Sequence, residues 1–201
     1  MTSPAAVRTI GIVLFDDVEE LDAVGPWEVL SWWTRTHPED GFAVTTLAPD
    51  GGVVTAAKGL RMVADHSFAD APVLDVLLYP GGSGTRAHTR DPERLDWVRA
   101  RAAEASLVTS VCTGALVLAA AGLLAGRPAT TFHGALDELR DLDASVEVRP
   151  EDRFVDDGDV VTSSGVSAGI DMALHLVGRF AGADRAREVR RGIQYDPAPP
   201  Y

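Results

Sequence analysis

Cys112 is the only cysteine in this chain of 201 residues, and its place in the sequence suits a nucleophile. It directly follows a predicted buried strand, Leu107–Val111, and precedes Thr113 and Gly114. Where a buried strand turns sharply into a helix, the side chain at the turn stands above the sheet edge beside free backbone N–H groups. The positive end of that helix would favour a thiolate, so we predict a Cys112 pKa below the ordinary value of about 8.5. The alternative is a small core residue, since free cysteine is often buried.

Asp22 lies soon after another predicted strand, at residues 9–15, and near the start of a helical pattern at residues 21–33. The carboxyl ends of parallel strands meet at one edge of a sheet, so Asp22 should come close to Cys112. A carboxyl group in that place could donate or accept a proton during catalysis. By position alone, an N-cap of the helix is the more usual role.

The turn Tyr79-Pro80-Gly81-Gly82 ends a third predicted strand, at residues 73–79. Glycine permits close backbone approach, and this turn should lie at the same sheet edge as Cys112. We therefore expect the amides of Gly82 and Thr113 to frame an oxyanion-type pocket. An ordinary glycine-rich connection from strand to helix is the alternative.

The sequence offers little support for a bound cofactor or metal. Residues 82–87 match the dinucleotide fingerprint G-x-G-x-x-A, but polar residues follow where the fingerprint needs a long helix. The five histidines show no metal-ligand spacing. We predict no cofactor and no metal. His133 stands out because it follows a short predicted strand and could pair with Cys112.

Composition and pattern predict one α/β domain over residues 1–201. The chain is 46% hydrophobic and 24% charged, which is enough to form a sizeable core. Strand and helix patterns alternate with short turns between them, as in a doubly wound, mostly parallel sheet with helices on both faces.

The charge balance predicts which partners this chain avoids. Thirty acidic residues against eighteen basic ones leave a formal net charge of -12. Phosphate backbones and anionic membranes would be repelled, so we expect neither nucleic acid nor membrane as a partner. A single cysteine permits no internal disulfide, and the first residues lack a long apolar run, which together predict a cytoplasmic location.

Four segments together resemble the PfpI-like superfamily, which includes the parkinsonism-associated deglycase. They are Ser110-Val111-Cys112-Thr113-Gly114, Tyr79-Pro80-Gly81-Gly82, Leu21-Asp22-x-x-Gly25-Pro26 and residues 165–171, Gly-Val-Ser-Ala-Gly-Ile-Asp. The resemblance runs from about Ile10 to Tyr201. Leu-Asp-x-x-Gly-Pro, the Cys-Thr pair and residues 194–201 most resemble bacterial isocyanide hydratases.

This resemblance implies a flavodoxin-like sandwich with the class I glutamine-amidotransferase-like fold, forming a homodimer. The implied reaction is hydration of a small-molecule isocyanide to an N-substituted formamide, without a cofactor. Cys112 would be the nucleophile and Asp22 the proton donor. The side chain of Asp22 is shorter than that of the Glu in the deglycase branch, which favours the hydratase interpretation. The remaining site residues would be Thr113, the substrate-binding Gly81 and Gly82, and an apolar wall of Trp27 and Val166.

One departure from the superfamily pattern argues against a Cys-His triad. Many relatives carry Thr-Thr-His, whereas Phe132 stands in that place here and the imidazole is shifted to His133. Peptidase or glutaminase chemistry is correspondingly disfavoured. Two alternatives stay open: a glyoxalase or deglycase acting on small dicarbonyls, and a non-catalytic redox-sensing or ligand-binding module in which Cys112 is oxidised to sulfinic acid.

Overall fold

A computed structural model describes residues 7–198. Residues 1–6 and 199–201 lie outside the described range. Both ends of the predicted domain 1–201 therefore lie outside this range. So do the last three residues of the C-terminal segment, 194–201, on which the family resemblance partly rests.

The strands are short, and five of them, at residues 8–13, 42–48, 76–79, 107–111 and 160–163, are mostly buried. In chain order they are β1 (Arg8–Val13), β2 (Phe42–Ala48), β3 (Gly52–Thr55), β4 (Arg61–Ala64), β5 (His66–Ser67), β6 (Val76–Tyr79), β7 (Leu107–Val111), β8 (Pro128–Ala129), β9 (Glu147–Val148), β10 (Phe154–Asp156) and β11 (Val160–Ser163).

The helices lie between and after these strands. They are α1 (Glu20–Thr36), α2 (Thr85–His88), α3 (Pro92–Glu104), α4 (Gly114–Ala120), α5 (Leu136–Leu142), α6 (Ala168–Ala181) and α7 (Ala183–Gly192), with 3-10 turns at Pro38–Asp40 and His133–Ala135. The helical pattern at residues 21–33 falls within α1. The sequence interpretation missed α7, because its charged composition buries only Val189.

The central sheet has seven strands in the order β10-β11-β7-β6-β1-β2-β5. All neighbours in it are parallel except β10 and β11. β3 and β4 form a separate hairpin, and β8 pairs with β9. The predicted fold class, a flavodoxin-like doubly wound sandwich with a mostly parallel sheet, is confirmed.

The strand order creates a crevice at the carboxyl edge of the sheet. The connection from β1 leads to β2 on one side, whereas the connection from β6 leads to β7 on the other. Right-handed crossovers in opposite directions place their helices on opposite faces. Accordingly, α1, α6 and α7 pack together, and α4 packs with α2, α3 and α5. The loops that follow β1 and β6 therefore diverge and leave a crevice between them. Ligands bind in this crevice in sheets of this kind.

Candidate active site

Three strand ends bring Asp22, Gly81 and Cys112 together. Asp22 lies in the first turn of α1, after β1, while Gly81 follows β6 and Cys112 follows β7. A Cβ built on Gly81 would lie 2.7 Å from Asp22 Oδ2, 2.7 Å from Cys112 Cβ and 2.5 Å from the Thr113 nitrogen. Any side chain there would collide with all three groups, so glycine is needed for the carboxyl and the thiol to approach each other.

Cys112 forms the sharp turn between β7 and α4. Its φ angle is 56°, in the left-handed region that non-glycine residues seldom adopt. Hydrogen bonds hold both sides of its backbone: its N–H donates to Ser163 O at 3.1 Å, and Thr131 Oγ1 donates to its carbonyl at 2.7 Å. Strained residues that persist in this way cluster at functional sites. The residue is 6% exposed.

Val166 is the second strained residue of the site. Its φ angle is 51°, which is rare for a β-branched side chain. The backbone N–H of Val166 favours the charged forms of both Asp22 and Cys112 and so lowers the pKa of each. The sequence interpretation assigned only its side chain, as part of an apolar wall. Its main chain faces the reactive pair.

Asp22 is fully buried and does not cap α1. The N-cap position belongs to Glu19, whereas Asp22 Oδ2 accepts a hydrogen bond from the Gly81 N–H at 3.0 Å. Its other oxygen, Oδ1, is buried without a regular hydrogen bond among residues 7–198. The cap interpretation is therefore wrong, and the carboxyl is directed into the site.

Burial raises the pKa of Asp22 to about 7, and the nearby charge of Glu19 adds to this effect. The Cys112 thiol and the amides of Gly81 and Val166 act in the opposite direction but are outweighed. A carboxyl group with this pKa can both accept and donate a proton near neutral pH.

The predicted low pKa of Cys112 is wrong. Burial raises the pKa of Cys112 to about 12, followed by the charge of Asp22, while the amides of Thr113 and Val166 only partly oppose them. The free thiol is therefore protonated at neutral pH. The titratable group beside it is Asp22, whose own pKa lies near neutrality.

The glycine turn does not offer the expected oxyanion pocket. The Gly82 N–H donates to Thr113 Oγ1 at 2.9 Å, and the Gly81 N–H is taken by Asp22. Gly82 itself has a φ of 132°, and a Cβ there would lie 2.2 Å from Asp17 O. The turn therefore holds the carboxyl and the Thr113 hydroxyl in place, and the amides that act on the thiol are those of Thr113 and Val166.

Trp27 and Val166 border different cavities and do not form one wall. Trp27 lines a mainly apolar cavity of about 370 Å³ with Val24, Met62 and Val63. Val166 lines a cavity of about 320 Å³ that also includes Thr131 and Ser164. Both of these residues hydrogen-bond to the Cys112 backbone, so the second cavity adjoins the nucleophile.

His133 is exposed and packs against Phe132, with ring centroids 4.2 Å apart and ring planes tilted by 51°. The residue that contacts Cys112 from this segment is Thr131, through its hydroxyl group. Sequence reasoning missed Thr131 because a threonine hydroxyl that supports a strained carbonyl leaves no motif. Thr85, which is fully buried and donates to Gly82 O at 2.7 Å, was missed for the same reason.

Within residues 7–198, no group of three or more His, Cys, Asp or Glu side chains is arranged to hold a metal ion. In the same range, no helix combines the length and apolar character needed to cross a bilayer.

Comparison with known proteins places the whole arrangement in one family. The model of the DJ-1/PfpI family matches residues 8–179. Isonitrile hydratase from Pseudomonas putida is 43% identical over 192 residues, covering 96% of this chain and 80% of that protein. The crystal structure of a ThiJ/PfpI family protein from Pseudomonas syringae has a TM-score of 0.87 at 33% identity, covering 98% of this chain and 78% of the other.

A second kind of relative carries additional sequence. The HTH-type transcriptional regulator GbdR from Pseudomonas aeruginosa is 30% identical over 190 residues. The alignment covers 94% of this chain but only 51% of the regulator. The family match, the identity to isonitrile hydratase and the shared fold agree, and this chain belongs to the DJ-1/PfpI family.

Proposed function

We propose that this protein is an isocyanide hydratase that converts an isocyanide and water into an N-substituted formamide. The observation that carries the proposal is the buried pair of Asp22 and Cys112 around Gly81, with the carboxyl pKa raised to about 7. The 43% identity to isonitrile hydratase supports the same assignment.

The first half of the reaction uses both members of the pair. The carboxylate of Asp22 accepts the thiol proton as Sγ of Cys112 bonds to the terminal carbon of the isocyanide. The same carboxyl then delivers that proton to this carbon, which gives a thioimidate, R–N=CH–S. An elevated pKa suits Asp22 to both transfers.

The second half regenerates the thiol. The Asp22 carboxylate takes a proton from water while the water oxygen bonds to the thioimidate carbon, and the proton passes to the substrate nitrogen. The carbon–sulfur bond then breaks, the hydroxyl proton returns to Sγ by way of Asp22, and the formamide leaves. Every proton comes from the thiol or from water.

The Gly81–Gly82 turn supports this chemistry over amide hydrolysis. Attack on an amide builds negative charge on oxygen, which hydrolases stabilise with free N–H donors. Here the N–H groups of Gly81 and Gly82 already have acceptors. Addition to an isocyanide places a proton on carbon in its first step and creates no oxyanion, so occupied amides are no handicap.

Two further aspects belong to the same proposal. Val24, Val53, Leu60 and Val63 are exposed apolar side chains, and two of them border the apolar cavity beside Trp27. Apolar surface of this kind supports a homodimer. A reducing cytoplasm would keep Cys112 as a thiol, which the mechanism requires.

The deciding experiment supplies the purified protein with an aryl or alkyl isocyanide and, separately, with methylglyoxal. Formamide production with the isocyanide is expected. Lactate from methylglyoxal without formamide would instead establish the dicarbonyl alternative. Absence of both products, with oxidation of Cys112 to sulfinic acid, would favour the redox-sensing module.

A further inference from the structure

Two buried threonines, Thr85 and Thr113, bond to Gly82 of the Gly81–Gly82 turn. Thr85 Oγ1 donates to Gly82 O at 2.7 Å and lies 3.0 Å from Thr113 Oγ1. Thr113 Oγ1 in turn accepts from the Gly82 N–H at 2.9 Å and lies 3.1 Å from the Gly82 carbonyl oxygen. Both polar groups of Gly82 thus bond to this pair of hydroxyls, and its carbonyl also accepts longer bonds from the Thr85 N–H at 3.3 Å and Arg86 Nη1 at 3.4 Å.

This arrangement needs both threonines. The Gly82 φ of 132° places its peptide in a conformation with no side chain to restrain it. If the Thr85 hydroxyl is lost, the Gly82 carbonyl loses its shortest donor, and the Thr113 hydroxyl loses a neighbour that orders its hydrogen. A buried hydrogen-bond network of this kind acts as a unit, so one missing hydroxyl loosens the remainder.

The turn transmits its position directly to the reactive pair. Gly81 is the residue directly before Gly82, and its N–H donates to Asp22 Oδ2 at 3.0 Å. A further link runs from the Glu19 N–H to Gly81 O at 2.9 Å, next to a β-bridge that pairs Val18 with Gly82. Movement of Gly82 therefore moves the donor that orients the carboxyl.

We propose that Thr85 is a positioning residue that, through Gly82 and Gly81, holds the Asp22 carboxyl against Cys112. It touches neither the substrate nor the thiol. The proposal extends the proposed function, because it names a residue that sets proton transfer within the pair, but the pair itself can be tested without an isocyanide.

The test is the pH dependence of Cys112 alkylation by iodoacetamide in the full-length chain. In Thr85→Val, which keeps the shape and removes the hydroxyl, the midpoint should move upward by roughly half to one pH unit, because an N–H that favours the carboxylate is weakened. Thr85→Ser, which retains the hydroxyl, should restore the parent midpoint. Isocyanide turnover, if present, should shift with the same midpoint.

Thr109 supplies a matched control. It is also fully buried and donates to a backbone carbonyl, Leu77 O at 3.2 Å, but it lies within β7 and away from the turn. Thr109→Val should leave the alkylation midpoint unchanged. An unchanged midpoint in Thr85→Val, or an equal shift in Thr109→Val, overturns the proposal.

Folding failure is covered by a second variant. If Thr85→Val does not fold, the midpoint is measured in Thr85→Ala, which removes the hydroxyl without filling its place. Failure of both variants to fold while Thr109→Val folds would assign Thr85 to general stability and overturn the positioning role. A shifted alkylation midpoint in a protein without isocyanide turnover would retain the role of Thr85 and reject the proposed function.

Discussion

Asp22 Oδ2 and Cys112 Cβ lie on two sides of Gly81, each 2.7 Å from the position that a Cβ on this glycine would occupy. The two atoms are therefore no further apart than twice that distance. A carboxyl and a thiol so close together and so well buried cannot ionise independently, because a charge on one disfavours a charge on the other. Proton exchange within this pair accounts for the predictions below.

Replacement of the nucleophile should abolish turnover and leave the fold intact. Cys112→Ala removes the only thiol while placing a small residue in the same left-handed conformation, so we expect a loss of at least about 10³-fold in kcat/KM, roughly 4 kcal/mol. Formamide production and thermal unfolding are the measurements. The parent should also accumulate a covalent adduct, detectable by mass spectrometry, that this variant lacks. Residual hydration near the parent rate would exclude covalent catalysis.

Asp22→Asn should lower kcat/KM by at least about 10²-fold, because an amide accepts the Gly81 N–H but transfers no proton. The variant should fold, since the carbonyl oxygen of Asn can take the place of Oδ2. Activity is expressed per folded molecule, with circular dichroism as the control. Parent-like activity from folded Asn variant would show that Asp22 has a structural role only.

The rate should rise with pH through about 7. Below this value Asp22 holds its proton and cannot accept the one from Cys112, so kcat/KM should fall about tenfold per pH unit. Above it the carboxylate is available, and the thiol remains protonated because burial keeps its pKa high. The pH profile of Cys112 alkylation by iodoacetamide should have the same midpoint. In Asp22→Asn, the rise in alkylation rate near pH 7 should disappear. A rate that falls as pH rises through 7 would contradict the assignment of Asp22 as the base.

The same carboxyl should make the folded state less stable as pH rises from about 4 to about 7. The pKa of Asp22 is raised in the folded state from 3.8 to about 7, so over this interval the folded protein holds a proton that the unfolded chain has released. The resulting loss of stability reaches roughly 4 kcal/mol and is complete above pH 7. Denaturant unfolding at several pH values measures the free energy of unfolding of both proteins. The value for Asp22→Asn should rise relative to that of the parent as pH increases across this interval. Parallel curves for the two proteins would mean that the carboxyl ionises normally.

His133→Ala should retain hydration within about tenfold of the parent, a loss of no more than roughly 1.4 kcal/mol. The imidazole is exposed and packs at a tilt against Phe132, and Thr131 makes the contact with Cys112. The comparison uses kcat/KM together with the rate of Cys112 alkylation. A collapse of both would establish a Cys-His enzyme and favour the dicarbonyl or amidase alternative.

The sheet and the meeting of the three strand ends could be predicted from the sequence. Apolar runs such as Leu107–Val111 and the turn at residues 79–82 are local patterns, and a parallel sheet brings their carboxyl ends to one edge. For this reason Cys112, Asp22 and Gly81 were found without a structure. α7 was not predicted, because its sequence is mostly charged and the helix buries only Val189.

The chemistry of the site was decided by the tertiary structure. From the sequence, the helix after Cys112 suggested a lowered thiol pKa, but the burial of the thiol and a carboxylate ninety positions away along the chain outweigh the helix. The Gly82 amide was free in the sequence interpretation and is occupied by Thr113 in the fold. A sequence pattern specifies which groups reach the carboxyl edge of the sheet. Burial, hydrogen-bond partners and ionisation depend instead on distances between segments that are remote in the chain. Only the packed molecule sets those distances.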